Sequence, residues 1–579
     1  MSNFAHNFKK VECQETFPQT IIMRKPIIFF LFILCFASAV HAQIAVSPDL
    51  NCAYPKREVR AVWLTTIGGI DWPHSYSQST LSAEKQKQEL RDILDKLQLA
   101  GINTVLLQTR IRGTVIYPSR YEPWDGCLSG FPGRSPGYDA LAFAIDECHK
   151  RGMELHCWIV TMPVGKWNTF GCKSLCRRYP SLIRKIDADG YMNPEDSRTA
   201  PYLAGICEEI TRNYDIDGIH LDYIRYPETW NIKVSRSRGR EYITQIVEEI
   251  HQRVKQLKPW VKLSCSPIGK FDDLSRYQSH GWNAYTKVCQ DVQGWLRDGL
   301  MDEIFPMMYF QDNQFFPFAI DWAEQSHGRI VAPGLGIYFM SPSEANWPLS
   351  TITREMQVLR QYHMGHTYFR SKFFTDNTKG IYQYARRQFD RYPALVPAMT
   401  WECGQKPIAP ATLHVDFAHS ELKWSGAIDN RPAHQLFYNV YASDTYPVDI
   451  NDARNLIATR LAKTSLKLNL DETMYYAVTA MDRYGYESDA KQSIEEPIRE
   501  TPANFLLKCN GRQLQLPRKD NTLDADYVTI ETLQGQIIGS RKYLGATTDV
   551  CNIPEGFYVL RSINKKGIAH RLGFFIVRR

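Results

Sequence analysis

From about residue 57 to 395 the chain alternates short apolar runs with amphipathic stretches eight times, and this rhythm restricts the fold more than any other feature. The strand candidates are residues 59–66, 103–110, 154–160, 218–226, 262–268, 303–310, 330–337 and 365–373. Between them apolar residues recur at three- and four-residue spacing, most clearly over 81–99, 139–151, 242–257, 350–362 and 380–392. That is the period of a helix with one buried face. Eight such units predict a (β/α)8 TIM barrel with long loops, in the α/β class. The alternative is an open doubly wound sheet, but no glycine-rich phosphate loop follows the first strand.

At 579 residues the chain is too long for one core, so further domains are expected. Near Pro397 the pattern changes, and Pro407-Ile-Ala-Pro410 reads as a linker. Short alternating segments follow at 422–425, 436–442, 465–470 and 474–481. With Trp424, Phe437-Tyr-Asn-Val-Tyr441 and Tyr475-Tyr-Ala-Val-Thr-Ala-Met481 before Tyr484-Gly485, residues 407–497 resemble a fibronectin type III β-sandwich. A second small all-β sandwich is expected over 503–579. Its Ile553-Pro-Glu-Gly-Phe-Tyr-Val-Leu560 and its end, Phe574-Phe-Ile-Val-Arg-Arg579, resemble the sorting domains of the type 9 secretion route. That resemblance implies a contact with secretion machinery.

A formal charge of +7, spread without long basic blocks, argues against a nucleic-acid partner. Met23-Arg-Lys25, an apolar run from Pro26 to Phe36 and Val40-His-Ala42 read as a signal peptide over 23–42, with 1–22 an upstream extension. The apolar run is short for a membrane span. The mature chain is therefore expected to be exported, without a transmembrane segment. Cys157, Cys207 and Cys265 fall in predicted elements, where cysteine is a small apolar filler. Cys172-x-x-x-Cys176 could form a local bridge, but it has no zinc-spaced companion, so neither a metal nor an organic cofactor is expected.

The chemistry concentrates in Gly218-Ile-His-Leu-Asp-Tyr-Ile-Arg-Tyr-Pro227, a buried strand ending on Asp222. A parallel strand buried on both faces should be almost wholly apolar. An acid at its C-terminal end sits where barrel enzymes keep their catalytic groups. The competing reading is a structural Asp222 tied to Arg225, which would lower the carboxyl pKa and argue against an acid role. Gln108 and Arg110 share one side of the second strand, placed to bind a sugar hydroxyl or orient Asp222; Arg112 is a looser candidate. Trp72 and Trp124 lie in loops beside a proline and an acid and read equally as sugar platforms or as packing. Trp63, Trp158, His156 and His220 read as core. Asp71, Asp312, Glu122 and Asp125 are the loop acids from which a second carboxylate could come.

Residues 55–400 resemble the glycosyl hydrolase-like 10 family, also called DUF187. The resemblance rests on Arg57-Glu-Val-Arg-Ala-Val-Trp-Leu-Thr-Thr66 with Ile70-Asp-Trp-Pro73, and on Gln108-Thr-Arg110 with Tyr117-Pro-Ser119 and Glu122-Pro-Trp124. It extends through Gly137-Tyr-Asp139, His149-Lys-Arg-Gly-Met-Glu-Leu-His156 and 217–227. It implies a barrel acting on glycans, among them denuded amino-sugar strands of bacterial cell wall. The family often carries a second Asp where this chain has Tyr223. Met307-Met-Tyr309 also resembles the Met-x-Tyr of acetamide-assisted chitinases.

The expected activity is hydrolysis of a polymeric envelope glycan rich in N-acetyl-hexosamines. The expected catalytic groups are Asp222 as proton donor, with Tyr309 and Asp312; Asp71, Trp72, Gln108, Arg110, Trp124 and Arg225 are the expected substrate-binding groups. If the substrate is N-acetylated its own acetamide can replace a second carboxylate. The rival readings are a glycan-binding surface scaffold on an inactive barrel, and a hydrolase of imported dietary or host polysaccharide.

Overall fold

The structure is a computed structural model that describes residues 54–279, 281–402, 404–428, 436–494, 506–516, 525–543, 546–564 and 569–578. The expected signal peptide at 23–42 lies outside the described residues.

Ten parallel segments form one curled sheet: β1 (Arg60–Leu64), β2 (Thr104–Arg110), β3 (Glu154–Val160), β4 (Gly218–Asp222), β5 (Lys262–Ser266), β6 (Glu303–Ile304), β7 (Met307–Met308), β8 (Ile330–Val331), β9 (Gly334–Leu335) and β10 (His366–Tyr368). The sequence predicts eight strands, and two prolines account for the difference. Pro306 separates β6 from β7 and Pro333 separates β8 from β9, because proline has no N–H to give the ladder. β1 pairs with β2 and β10, and pairing continues through β3, β4 and β5 to β6. β6 pairs with β8, β7 with β9, and β9 with β10. Taken across each proline, the pairing runs round eight places and returns to β1 in a TIM-barrel-like ring.

Every residue of β1 to β5 is buried, as a parallel sheet covered on both faces requires. The cover is α1 (Thr80–Leu99), α2 (Ala140–Lys150), α3 (Thr199–Asn213), α4 (Arg236–Leu257), α5 (Phe316–Glu324) and α6 (Leu349–Gln361). Ser79 and Ser82 form a capping box at the start of α1, and Asp139 and Ser235 cap α2 and α4. The helix expected over 380–392 is one α-helical turn, Ile381–Tyr384, that runs on into the π-helical Ala385–Phe389. A three-stranded antiparallel sheet (Pro163–Lys166, Ile183–Ile186, Asp189–Met192) inserted between β3 and α3 has no counterpart in the sequence reading.

Beyond residue 407 the regular elements among the described residues are β strands, apart from one 3-10 turn at Ala453–Asn455. One sheet joins Leu413–Asp416, Glu421–Trp424 and Ser465–Lys467; another joins Leu456–Leu461, Phe437–Ser443, Tyr475–Met481 and Lys491–Gln492. Leu413, Leu422 and Trp424 from the first share a core with Tyr438, Val440, Tyr476 and Val478 from the second. A four-stranded sheet and a two-stranded one follow between 513 and 577.

The first β region closes the N-terminal end of the barrel. Arg460 donates to Glu154 at 3.0 Å and to Asp217 at 2.6 Å, and Arg483 reaches Asp215 at 2.7 Å. Gly152, at φ +70°, faces the Thr459 carbonyl so closely that a Cβ would lie 2.5 Å from its oxygen, so only glycine fits. Cys172 and Cys176 are free thiols, as are Cys127, Cys148, Cys157, Cys207, Cys265, Cys289, Cys509 and Cys551. Among the described residues no helix is long and apolar enough to cross a membrane.

Candidate active site

Alternate positions of a strand face opposite ways, and inside the ring this places Trp63, Trp158, His220, Ser264, Phe305 and, at the C-terminal end, Asp222. Trp63 packs edge-on against His220 and Phe305, each with ring centroids 6.0 Å away. His220 accepts from Trp63 Nε1 at 3.3 Å and lies 3.0 Å from Ser264 Oγ. Burial, then the nearby His156, push its pKa well down, so it is a neutral core histidine.

Asp222 is 8% exposed and closes β4. Tyr223 turns the chain away at φ 56°, a left-handed conformation uncommon for a residue with a side chain. The Asp222 carboxyl accepts three hydrogen bonds, all from neutral donors: Trp158 Nε1 at 3.1 Å, Ser266 Oγ at 2.8 Å and the Tyr223 N–H at 2.9 Å. Burial raises its pKa, and Ser266, the charge of Arg225, Trp158 and the Tyr223 N–H offset that only in part. The group therefore holds its proton to higher pH than an ordinary aspartate, as a proton donor must.

Arg225 is fully buried but is not hydrogen-bonded to Asp222. Its guanidinium stacks on Tyr223 at 4.3 Å and donates to Glu228 at 2.6 Å and to the Tyr226 carbonyl at 3.2 Å. Arg225 acts on Asp222 through its field alone. It gives one N–H to Glu228, where burial opposes ionisation and the Arg225 charge outweighs it, lowering the Glu228 pKa. Two carboxyl groups six residues apart are thus pushed in opposite directions, the pattern by which acid and base roles separate.

An aromatic wall continues from the barrel interior to the rim. Phe369 packs on Trp63 at 5.7 Å, Tyr309 on Phe369 at 5.3 Å, and Tyr338 on Tyr309 at 5.7 Å. Burial, then Tyr338 and the Asp222 charge, push the Tyr309 pKa well up, so its hydroxyl remains a donor.

The other expected residues are placed differently. Trp72 is fully buried and gives its Nε1–H to the Gln86 carbonyl at 2.9 Å, so it offers no ring face to a sugar. Asp71 is held by Arg370, by the Thr65 hydroxyl and by the Thr65 N–H at 3.0 Å, and serves as a loop anchor at the end of β1. Arg110 is fully buried, clamps Glu122 at 2.6 and 2.9 Å and donates to the Thr161 carbonyl at 2.8 Å. Thr161 in turn donates its N–H and hydroxyl to the Asp222 carbonyl at 2.9 and 2.8 Å. Arg110 therefore braces β2 against the exit of β3, which Thr161 in turn ties to that of β4. Gln108 accepts from the Thr66 and Ile67 N–H groups at 3.1 and 2.9 Å. Trp124 is half-buried against the outer core. Asp125 caps a short helix at Cys127 N, 2.7 Å. Asp312 is solvent-facing, 3.5 Å from Arg354, and forms no bond with Asp222 or Tyr309.

Sequence reasoning missed Ser266, Trp158 and Glu228 as parts of the site. Two signals were available. Ser264 and Ser266 alternate on a strand that should be apolar, and Glu228 stands three residues after Arg225. Among the described residues one group, Glu58, His366 and Asp390, has metal-ligand spacing. Arg60 and Arg360 already bind its carboxylates, at 2.8 Å to Glu58 and 2.8 Å to Asp390, so a cation there would meet two guanidiniums.

Residues 58–235 and 232–340 match the family described as Glycosyl hydrolase-like 10. A Bacillus subtilis protein named Glycosyl hydrolase YngK is 28% identical over 522 residues, covering 81% of this chain and 99% of its own. Glycosyl hydrolase DigH of Escherichia coli K12 is 27% identical over 333 residues, 50% of this chain and 76% of its own. Among solved structures, the catalytic domain of a Paenibacillus polymyxa beta-amylase aligns at 11% identity with a TM-score of 0.40, over 57% of this chain and 98% of that one.

Proposed function

We propose, from the premise that residues 58–340 form a glycosyl hydrolase-like 10 domain and that the protein is a glycosyl hydrolase, that it cleaves a polymeric envelope glycan containing N-acetyl-hexosamines, with Asp222 as the proton donor. The observation that carries this reading is the Asp222 carboxyl itself: buried at the C-terminal end of a barrel strand, held only by neutral donors, raised in pKa, and beside an aromatic wall. Asp222 gives its proton to the leaving glycosidic oxygen as that bond breaks. The substrate's acetamide oxygen closes on the anomeric carbon, with Tyr309 donating to the acetamide, and water then opens the ring so formed. Aromatic faces at Tyr309, Tyr338 and Phe369 suit the apolar face of a sugar.

We also read the chain as exported, from residues 23–42, and the first β region as a fibronectin type III-like sandwich. The shared core of its two sheets and the reach of the Bacillus relative beyond the barrel support the second reading. The sequence of the last β region supports a sorting role in secretion.

The test is product analysis by mass spectrometry on peptide-free peptidoglycan strands, partly deacetylated poly-N-acetylglucosamine and a neutral plant glycan panel, with Asp222→Asn alongside. Oligosaccharides from an amino-sugar polymer, absent with the variant, are the expected outcome. Binding without release from any polymer points to the scaffold reading, and release only from neutral glycans moves the substrate.

A further inference from the structure

At the end of the barrel opposite Asp222, a cleft of 860 Å³ runs between the strand beginnings and the first β region. That volume falls within the roughly 300–1,000 Å³ of small-molecule sites. Its lining carries four fixed cations, Lys56, Arg57, Arg329 and Lys406, against three carboxylates, Glu58, Glu487 and Asp489. All three acids are ion-paired: Glu58 with Arg60 and Arg360, Glu487 with Lys56 at 2.5 Å, and Asp489 with Lys406 at 3.7 Å. Arg329 is the odd member. Its guanidinium lies 4.4 Å from the Trp401 ring, and its Nε and Nη1 are closed to solvent without a hydrogen-bond partner. Buried donors left unused are costly, and burial lowers the Arg329 pKa against the opposing charges of Asp302 and Glu402. The aromatic residues Trp401, Tyr362 and Tyr486 line the same cleft, with Tyr362 43% exposed.

We propose that this cleft is a second, non-catalytic binding site for a carboxylated saccharide, whose carboxylate pairs with Arg329 and whose ring lies against Trp401 and Tyr362. Arginine's planar fork matches a carboxylate bidentately, and an aromatic face beside it suits a sugar ring better than an inorganic anion. The choice of a saccharide rests on the glycan reading above; the choice of an anion rests on Arg329 alone. A second hold on the polymer, away from Asp222, raises the local concentration of chain at the catalytic end without entering the chemistry.

The experiment is calorimetric titration of the full chain with N-acetylmuramic acid and glucuronic acid, and with N-acetylglucosamine and glucose as neutral counterparts. The four ligands are tested on wild type, Asp222→Asn, Arg329→Met, Arg329→Lys and Trp401→Phe, each checked for native circular dichroism. The acidic sugars should bind wild type and Asp222→Asn alike, and should lose at least about tenfold on Arg329→Met. Arg329→Lys should recover part of that loss, and the neutral sugars should not respond to Arg329. Equal binding of acidic and neutral sugars, or indifference to Arg329→Met in a folded variant, overturns the site. Competition by acetate or a peptide C-terminus as effective as by either acidic sugar overturns the saccharide. Absence of hydrolysis on every glycan would remove the enzymatic reading while leaving the Arg329-dependent binding in place, so the two fail separately.

Discussion

The two ends of the barrel use the same side chains to opposite effect. At the C-terminal end Asp222 is surrounded by neutral donors, and burial raises its pKa. At the N-terminal end burial also opposes ionisation, and at three carboxyls guanidinium and ammonium groups outweigh it, whereas Glu303, whose oxygens have no hydrogen-bond partner, is pushed up to about 7. Lys262 and Arg460 hold Glu154 down at about 2; Arg460, then His149, hold Asp217 well below the usual range; Arg60 and Arg360 lower Glu58. Burial is common to both ends. A carboxyl becomes half of a strut only where its cations outweigh burial; Asp71, bonded to Arg370, is still pushed up by burial.

Removing the groups in question breaks this contrast by unequal amounts. Asp222→Asn should lower the hydrolysis rate by about a thousandfold, within the range of one general acid, with the circular dichroism spectrum unchanged; a loss below tenfold would shift the acid role to another group. Arg460→Met should leave Glu154 to Lys262 and Asp217 to His149, each with one charged partner fewer, costing roughly 3 kcal/mol in urea unfolding, while turnover by the remaining folded protein changes little.

The pH behaviour of the two ends should also separate. The struts have lowered folded pKa values, so their stabilisation is complete above the unfolded carboxyl range near about 4 and is lost as pH falls through the folded values. Arg460→Met should flatten that acid-side loss in melting curves taken from pH 7 downward. At the other end Ser266→Ala removes a hydrogen bond that lowers the Asp222 pKa, so the basic limb of the rate profile should move up by about half to one pH unit. A downward move would contradict the neutral-donor account.

The smallest effect concerns stability. A raised folded pKa means that ionising Asp222 works against the fold above the unfolded range, so Asp222→Asn should match wild type near pH 4 and exceed it at pH 8. Parallel denaturation at the two pH values measures the difference.

Much of the barrel was legible because parallel strands and their helices have local periods. The five strands β1 to β5 begin and end within a few residues of the predicted runs, and α1, α2 and α6 within one. Where local pattern met a proline the reading blurred, as at Pro306 and Pro333, since an apolar run does not reveal a missing ladder donor. Of the candidate site, Asp222 stood out in the sequence as an acid in an apolar strand, and the structure brings Tyr309 within reach of its charge. It was not legible at Trp72, whose burial under the Gln86 carbonyl depends on how α1 docks, nor at Arg110, whose partner Glu122 is set by a loop.

The sequence by itself determined the alternation of strand and helix and the acid at the end of β4, because both are written in neighbours a few residues apart. Only the tertiary structure decided what that acid is. The donors on Asp222 come from 64 residues before it and 44 after it, and Arg460 reaches Asp217 and Glu154 across 243 and 306 residues. A carboxyl pKa depends on the charges and dipoles within a few ångströms, and the fold, not the chain order, chooses those neighbours.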